Sequence, residues 1–126
     1  ILGVWITGGS SGIGEYLAYG FSEAGATVIL SARRKDELER VKKACKNPDK
    51  VIVFPMDMSD PQNTEKATRQ FFAENPSLNI DILVNNAGMG NRVPFLEDSI
   101  QNDLRVFNLN VLSQIAITRV SFMDEN

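Results

Sequence analysis

Val4-Trp5-Ile6-Thr7-Gly8-Gly9-Ser10-Ser11-Gly12-Ile13-Gly14 runs from an apolar segment into a loop of glycine and serine, and an amphipathic pattern follows at once. Ile13, Leu17, Phe21 and Ala24 recur at three- and four-residue spacing, which predicts a helix that buries this face. A strand, a glycine loop and a helix in that order can hold a phosphate. Glycine lets the backbone turn tightly and approach a ligand, while the helix N-terminus offers free N–H groups and a partial positive charge. Gly8, Gly12 and Gly14 are spaced G-x-x-x-G-x-G. That differs from the G-x-G-x-x-G fingerprint and lacks the Lys-Ser/Thr of a P-loop. Taken alone, the loop reads equally as a plain tight turn.

Outward from this stretch, strands and helices alternate. Leu2 to Thr7 reads as a first strand, apolar enough to be buried on both faces. Its helix should stop near Gly25, a residue suited to a left-handed C-cap. Thr27 to Ser31 is a second strand. Arg34 to about Lys46 reads as a helix with Leu38, Val41 and Cys45 on one face, closed by Pro48. Val51 to Phe54 is a third strand. Ser59 or Asp60 can cap a helix starting at Pro61, which should bury Ala67, Phe71 and Phe72 and end before Pro76. Ile80 to Val84 is a fourth strand, ending in Asn85-Asn86-Ala87-Gly88. A last helix from about Leu96 carries Ile100, Leu104, Phe107, Val111, Ile115 and Val120. This alternation predicts right-handed βαβ crossovers and a parallel sheet in one α/β unit spanning residues 1–126, with no linker or repeat dividing it.

The bulk properties narrow the function classes. A chain of 126 residues suffices for one domain with a core. Net charge is −3, so there is no general basic field for nucleic acid. The absence of histidine excludes His-based catalysis and His metal ligation within the chain, and no metal site is expected. A single cysteine, Cys45, excludes an internal disulfide and is compatible with a reducing compartment, cytoplasmic or on the cytoplasmic face of the endoplasmic reticulum if the protein is anchored. No apolar run reaches membrane-spanning length. The chain starts at Ile1 rather than Met, so it reads as a fragment or a trimmed chain. Membrane association is expected only if an N-terminal segment outside this sequence supplies it.

The end of the second strand selects the ligand. In a doubly wound nucleotide fold an acid there takes the 2′-hydroxyl of NAD, whereas an arginine accommodates the 2′-phosphate of NADP. Here Ile29-Leu30-Ser31-Ala32-Arg33-Arg34 places Ala32 where the acid would sit, followed by two arginines. Guanidinium binds phosphate bidentately and carboxylate repels it, so the pattern favours NADP. The alternative is a solvated helix start, with Lys35, Arg40, Lys42 and Lys43 on its wet face. The upstream glycine loop favours the phosphate reading for Arg33 and leaves Arg34 open.

These residues resemble the short-chain dehydrogenase/reductases. Thr7-Gly8-Gly9-Ser10-Ser11-Gly12-Ile13-Gly14 is similar to their T-G-x-x-x-G-x-G loop, and Asn85-Asn86-Ala87-Gly88 to their N-N-A-G signature. Leu30 to Arg34 and Glu37 to Val41 are similar to a membrane-associated reductase branch of the family. The likeness runs from Val4 to about Met123. It implies a Rossmann-like doubly wound parallel sheet of which only the first four strands are present, in the order 3-2-1-4, with flanking helices.

The resemblance also implies roles for individual residues. Gly8, Ser10, Ser11 and Ile13 would line the pyrophosphate, with Gly12 and Gly14 permitting close packing. Arg33, with Arg34 beside it, would hold the 2′-phosphate. Asp57 and Met58 would flank the adenine, and Asn86, with Ala87 and Gly88, would face the ribose. Asp57 alone reads as a loop residue or cap, and Asn85 and Asn86 as a turn held by side-chain-to-backbone bonds. Asn110 aligns with the asparagine that supports the family's proton relay. An Asn inside an apolar helix needs a hydrogen-bonded amide, so a kink or a water site is expected there.

The departure from the family is large. Its catalysis needs a serine and a Tyr-x-x-x-Lys, yet the only tyrosines are Tyr16 and Tyr19, with Gly20 and Glu23 four residues on. The sequence reaches Asp124-Glu125-Asn126 at the expected close of the fourth helix, before the fifth strand that would carry those groups. The fourth strand should therefore be an open edge, and the stripe Leu104, Phe107, Val111 and Ile115 should be left for a partner, as in a homo-oligomer. The leading expectation is the NADP-binding part of an oxidoreductase that moves hydride between NADP(H) and a small-molecule carbonyl/alcohol pair, not turning over by itself. The alternative is a non-catalytic, truncated NADP-binding or dimerisation module. A Rossmann-like methyltransferase or an NAD-type epimerase fits less well, since either would show an acid at the second strand end.

Overall fold

The apolar run behind the glycine loop becomes the strand around which two layers of helix are built. The computed structural model describes residues 1–123, so the expected helix end at Asp124 to Asn126 lies outside the described residues. The elements are β1 (Gly3–Thr7), α1 (Gly12–Glu23), β2 (Thr27–Ser31), α2 (Lys35–Ala44), β3 (Val51–Val53), α3 (Pro61–Glu74), β4 (Ile82–Val84), α4 (Ile100–Phe107) and α5 (Ser113–Ser121). The strands form one parallel sheet in the order β3-β2-β1-β4, as the resemblance implies.

Every residue of β1 is buried, because its side chains alternate between two covered faces. Val4 and Ile6 pack with Val28, Leu30, Leu38 and Val41 beneath α1 and α2. Trp5 faces the other way, with Ile29, Phe71 and Ile117 beneath α3 and α5. Its ring contacts Phe54, Phe71 and Phe72 at centroid separations of 6.0, 4.8 and 5.7 Å. Its indole N–H, which burial would otherwise orphan, donates to Ser31 Oγ at 2.9 Å.

Three local expectations need correction. Helix α1 buries Gly14, Ala18 and Ser22 most completely; of the expected face Leu17 and Phe21 pack, partly buried, against the core, while Ile13 is 73% exposed and Ala24 is exposed. At Gly14 the reason is steric, because a Cβ there would overlap the Gly8 carbonyl in the loop after β1. Helix α3 is capped by Asp60, which accepts from Gln62 N and Asn63 N, but its fully buried positions include Thr64 and Thr68 as well as Phe71. Ala67 and Phe72 are only half-buried. Thr64 meets α5, where its Oγ1 donates to Ser113 Oγ at 3.3 Å and Ser113 Oγ donates to Met58 O at 2.6 Å, while Thr68 Oγ1 donates to Thr64 O at 2.7 Å.

The last helix also departs from its expected form. Phe95–Glu97 is a separate short 3₁₀ turn, α4 starts at Ile100 under a Ser99 cap, and Asn108–Leu112 forms a π-helical segment before α5. The irregularity includes Asn110, where a half-buried amide inside an apolar helix made a kink expected. Along α4 and into α5, Leu104, Phe107, Val111 and Ile115 are exposed, as anticipated. Strand β4 pairs with β1 alone among the described residues, leaving an open edge. No helix among the described residues is long and apolar enough to cross a membrane.

Candidate functional site

A cleft of about 340 Å³ opens at the carboxyl ends of the strands. In doubly wound sheets, ligands bind there, beside the strand where the chain direction of the crossovers reverses. One wall is the glycine loop, through Gly8, Ser10 and Ser11; a second is the end of β2, through Ser31, Ala32, Arg33 and Arg34. Met56 and Met58 close one side, and Asn86, Ala87, Gly88 and Leu109 the other. No acidic side chain among the described residues lines the cleft. Among the described residues, neither arginine has a carboxylate within ion-pair distance.

The loop is shaped by conformation at two glycines and by space at a third. Gly8 and Gly12 adopt φ of +65° and +56°, the region that disfavours L side chains. Gly14 has another reason: a Cβ there would overlap the Gly8 carbonyl and lie 2.7 Å from Asn86 Nδ2. The close-packing role therefore belongs to Gly14, whereas Gly12 has open space around it and is required for its backbone angle.

The two halves of the cleft are tied by Thr7. Its hydroxyl accepts from Asn86 N at 3.1 Å and Ala87 N at 3.0 Å, and donates to Val84 O at 3.3 Å. Asn86 Nδ2 donates to Gly8 O at 3.1 Å, the side-chain-to-backbone bond expected of a turn asparagine. On the far side, the segment after β4 is gripped by the helix above it. Asn110 exchanges two hydrogen bonds with the Met89 backbone, Gln114 Nε2 donates to Ala87 O at 2.8 Å, and Asn85 Nδ2 donates to Thr118 Oγ1 at 3.0 Å.

Of the residues singled out in the sequence, Gly8, Ser10, Ser11, Arg33, Arg34, Met58, Asn86, Ala87 and Gly88 come together around the cleft. Gly12, Ile13 and Gly14 form the first turn of α1 and do not line it. Asp57 lies between the two lining methionines, with its carboxylate accepting from Ser59 N at 3.0 Å. Asn110 stands behind the cleft, bordering a separate and more open hollow with Asn85, Gln114 and Thr118. Ser31, Met56 and Leu109 are lining residues that sequence reasoning missed. Gln114 and Thr118 were missed too, although polar residues at four-residue steps from Asn110 on an apolar helix signal one polar stripe.

The largest omission is Arg40, which the sequence offered only as a wet-face cation. It donates to both Glu15 carboxylate oxygens at 3.1 and 3.3 Å, to Glu37 at 3.1 Å, and to the Ser10 carbonyl at 3.0 Å. Arg40, and after it the Tyr19 hydroxyl at 2.6 Å, holds the Glu15 carboxyl below its ordinary 4.5. The same bond raises the Tyr19 phenol above its ordinary 10.0. Burial pushes the Cys45 thiol up from 9.0, which makes it a poor thiolate. Among the described residues, no cluster of acidic or cysteine side chains could hold a metal ion.

Comparison with known proteins agrees with this geometry. The short chain dehydrogenase family model matches residues 3–124. The chain is 43% identical over 122 residues to the human protein named dehydrogenase/reductase SDR family member 7, and 42% identical to the mouse protein of the same name. Each alignment covers 92% of this chain and 35% of the relative, so the chain spans about a third of the length of these curated relatives. A short-chain dehydrogenase from Sphingobium yanoikuyae, solved in complex with NADPH, superposes with a TM-score of 0.83 at 28% identity, covering 96% of this chain and 47% of that one.

Proposed function

The chain belongs to the short-chain dehydrogenase family, and on that footing we propose that it is the NADP-binding part of an oxidoreductase acting on a carbonyl/alcohol pair. The observation that carries the reading is the make-up of the cleft: a glycine loop opposite Arg33 and Arg34, with no acid in the lining among the described residues. The residues suit a phosphorylated dinucleotide. Arg33, with Arg34 beside it, takes the 2′-phosphate as a bidentate guanidinium partner. Ala32 leaves that corner without the carboxylate that would repel it.

Gly8, Ser10 and Ser11 hold the pyrophosphate at the start of α1, where Gly12, Ile13 and Gly14 present the helix N-terminus. Met58 and the exposed Asp57 flank the adenine, and Asn86, Ala87 and Gly88 face the ribose. When bound, the dinucleotide supplies or accepts the hydride. This chain's part is to bind and orient it, and Asn110 contributes by holding the Met89 backbone in place. Turnover needs a proton donor that the chain does not offer: its two tyrosines, Tyr16 and Tyr19, both lie on α1, and Tyr19 is hydrogen-bonded to Glu15. The match of the NADPH-bound Sphingobium enzyme supports the choice of dinucleotide for this chain.

A second reading, a non-catalytic module that binds NADP and a partner copy, draws on the exposure of Ile100, Leu104 and Phe107 at 65%, 53% and 52%. Thermal unfolding of the chain with NADPH and with NADH tests the shared premise, because a ligand that binds only the folded state raises the melting temperature. The reading expects a rise with NADPH that Arg33→Ala abolishes. An equal rise with NADH, or none with either, contradicts it.

A further inference from the structure

We propose that Arg40, which lies outside the cleft, is a positioning residue for the phosphate-facing loop and sets how well the cleft holds its dinucleotide. The proposal rests on the NADP-binding reading above for its functional consequence, but not for its structural content.

The loop is held from three different elements at three consecutive residues. The Gly8 carbonyl accepts from Asn86 after β4, the Gly9 N–H donates to Ser31 O at the end of β2, and the Ser10 carbonyl accepts from Arg40 on α2. A trans peptide is planar, so a carbonyl and the N–H that follows it point in opposite directions. The Gly8–Gly9 peptide is therefore satisfied at both ends by the protein. The Ser10–Ser11 peptide is different: Arg40 takes its carbonyl, which turns the Ser11 N–H to the opposite side of the peptide. Ser10 and Ser11 both line the cleft. Fixing that peptide plane fixes the orientation of a donor before any ligand arrives.

Arg40 can do this because its own position is over-determined. Its guanidinium forks onto both oxygens of Glu15, one turn into α1, and its Nε onto Glu37, one turn back on α2. Glu15 is held in turn by Tyr19. The arrangement also neutralises charge. Without Arg40, Glu15 and Glu37 would stand as bare carboxylates beside a loop that takes phosphate. Lysine keeps the charge but lacks the planar fork that reaches two carboxylates and a carbonyl together.

Amide hydrogen exchange across Gly9 to Ile13, together with NADPH affinity, decides the matter in the chain and in its Arg40→Ala, Arg40→Lys and Arg33→Ala variants. Arg40→Ala and Arg40→Lys are expected to speed loop exchange about tenfold while β1 and β2 stay protected, because a local tether has been lost rather than global stability. Both should weaken NADPH binding, by about three- to tenfold for Arg40→Ala and less for Arg40→Lys. Arg33→Ala should weaken NADPH binding and leave loop exchange unchanged.

Unchanged loop exchange in both Arg40 variants overturns the proposal, as does faster exchange spread evenly over the chain. If Arg40→Ala fails to fold, Arg40→Lys carries the same two readouts. Failure of the unaltered chain to bind NADPH refutes the cofactor reading, and the exchange measurement still decides the role of Arg40.

Discussion

Asn110 and Met89 exchange two hydrogen bonds across the groove between the π-helical segment and the loop after β4: Met89 N–H donates to Asn110 Oδ1 at 2.9 Å and Asn110 Nδ2 donates to Met89 O at 2.8 Å. A primary amide carries its donor and its acceptor on separate atoms, so it can satisfy the backbone N–H and C=O of one residue together. The widened turn at Asn108–Leu112 is the local backbone form from which it does so.

Asn110→Ala should therefore destabilise the chain by about 1–2 kcal/mol, the net worth of two partly buried hydrogen bonds. Asn110→Asp should cost at least as much, since its carboxylate can accept from Met89 N–H but is set against the Met89 carbonyl. Urea unfolding measures both. Equal stability of the Asp variant and the unaltered chain would mean that the clamp carries no energy.

Gly14 and Gly12 should fail in different ways. The Cβ of Gly14→Ala would overlap the Gly8 carbonyl, so the helix must move away from β1, at about 1–3 kcal/mol for an overpacked contact. Gly12→Ala meets no neighbour and is charged only for its positive φ, about 1 kcal/mol. Denaturant midpoints of the two variants should separate in that order, and the reverse order would contradict the packing argument.

How far the sequence could be read follows from the kind of signal each feature leaves. The strand order and the walls of the cleft were legible because Thr7 to Gly14, Arg33-Arg34 and Asn85 to Gly88 are contiguous stretches whose residue types have few other uses. Helix faces were less legible. Hydrophobicity pointed to Ile13, Leu17, Phe21 and Ala24 on α1, of which Leu17 and Phe21 do pack on the core, whereas close approach to the Gly8 carbonyl puts Gly14 at the inner face. The same holds for Thr64 and Thr68, polar by type but fully buried on the inner face of α3. Arg40 was illegible for a further reason: its partners Glu15 and Ser10 are separated from it by 25 and 30 residues, and nothing local on α2 announces them.

Acid should loosen the contact between α1 and α2. Arg40 and Tyr19 hold the folded Glu15 carboxyl below 4.5, and Ser99 N–H and Asn102 hold Asp98 below 3.8. On acidification the unfolded chain takes up these protons first, so the stabilisation is full above the ordinary carboxyl values and drains away as pH falls through the folded ones. Melting temperature between about pH 6 and pH 3 should fall more steeply for the unaltered chain than for Glu15→Gln, and the two should converge at the acid end. Parallel curves would show that the Glu15–Arg40 contact contributes nothing to stability.

A corner beside Ala32 built for a 2′-phosphate, as proposed, is tested by isolating that group from the rest of the dinucleotide. Calorimetric titration of the chain with adenosine 2′,5′-bisphosphate and with 5′-AMP compares two ligands that differ only there. The bisphosphate should bind at least about tenfold more tightly, an advantage of about 1.4 kcal/mol, and Arg33→Ala should remove that advantage. Equal affinity for the two ligands, or an advantage that survives Arg33→Ala, would contradict the 2′-phosphate reading.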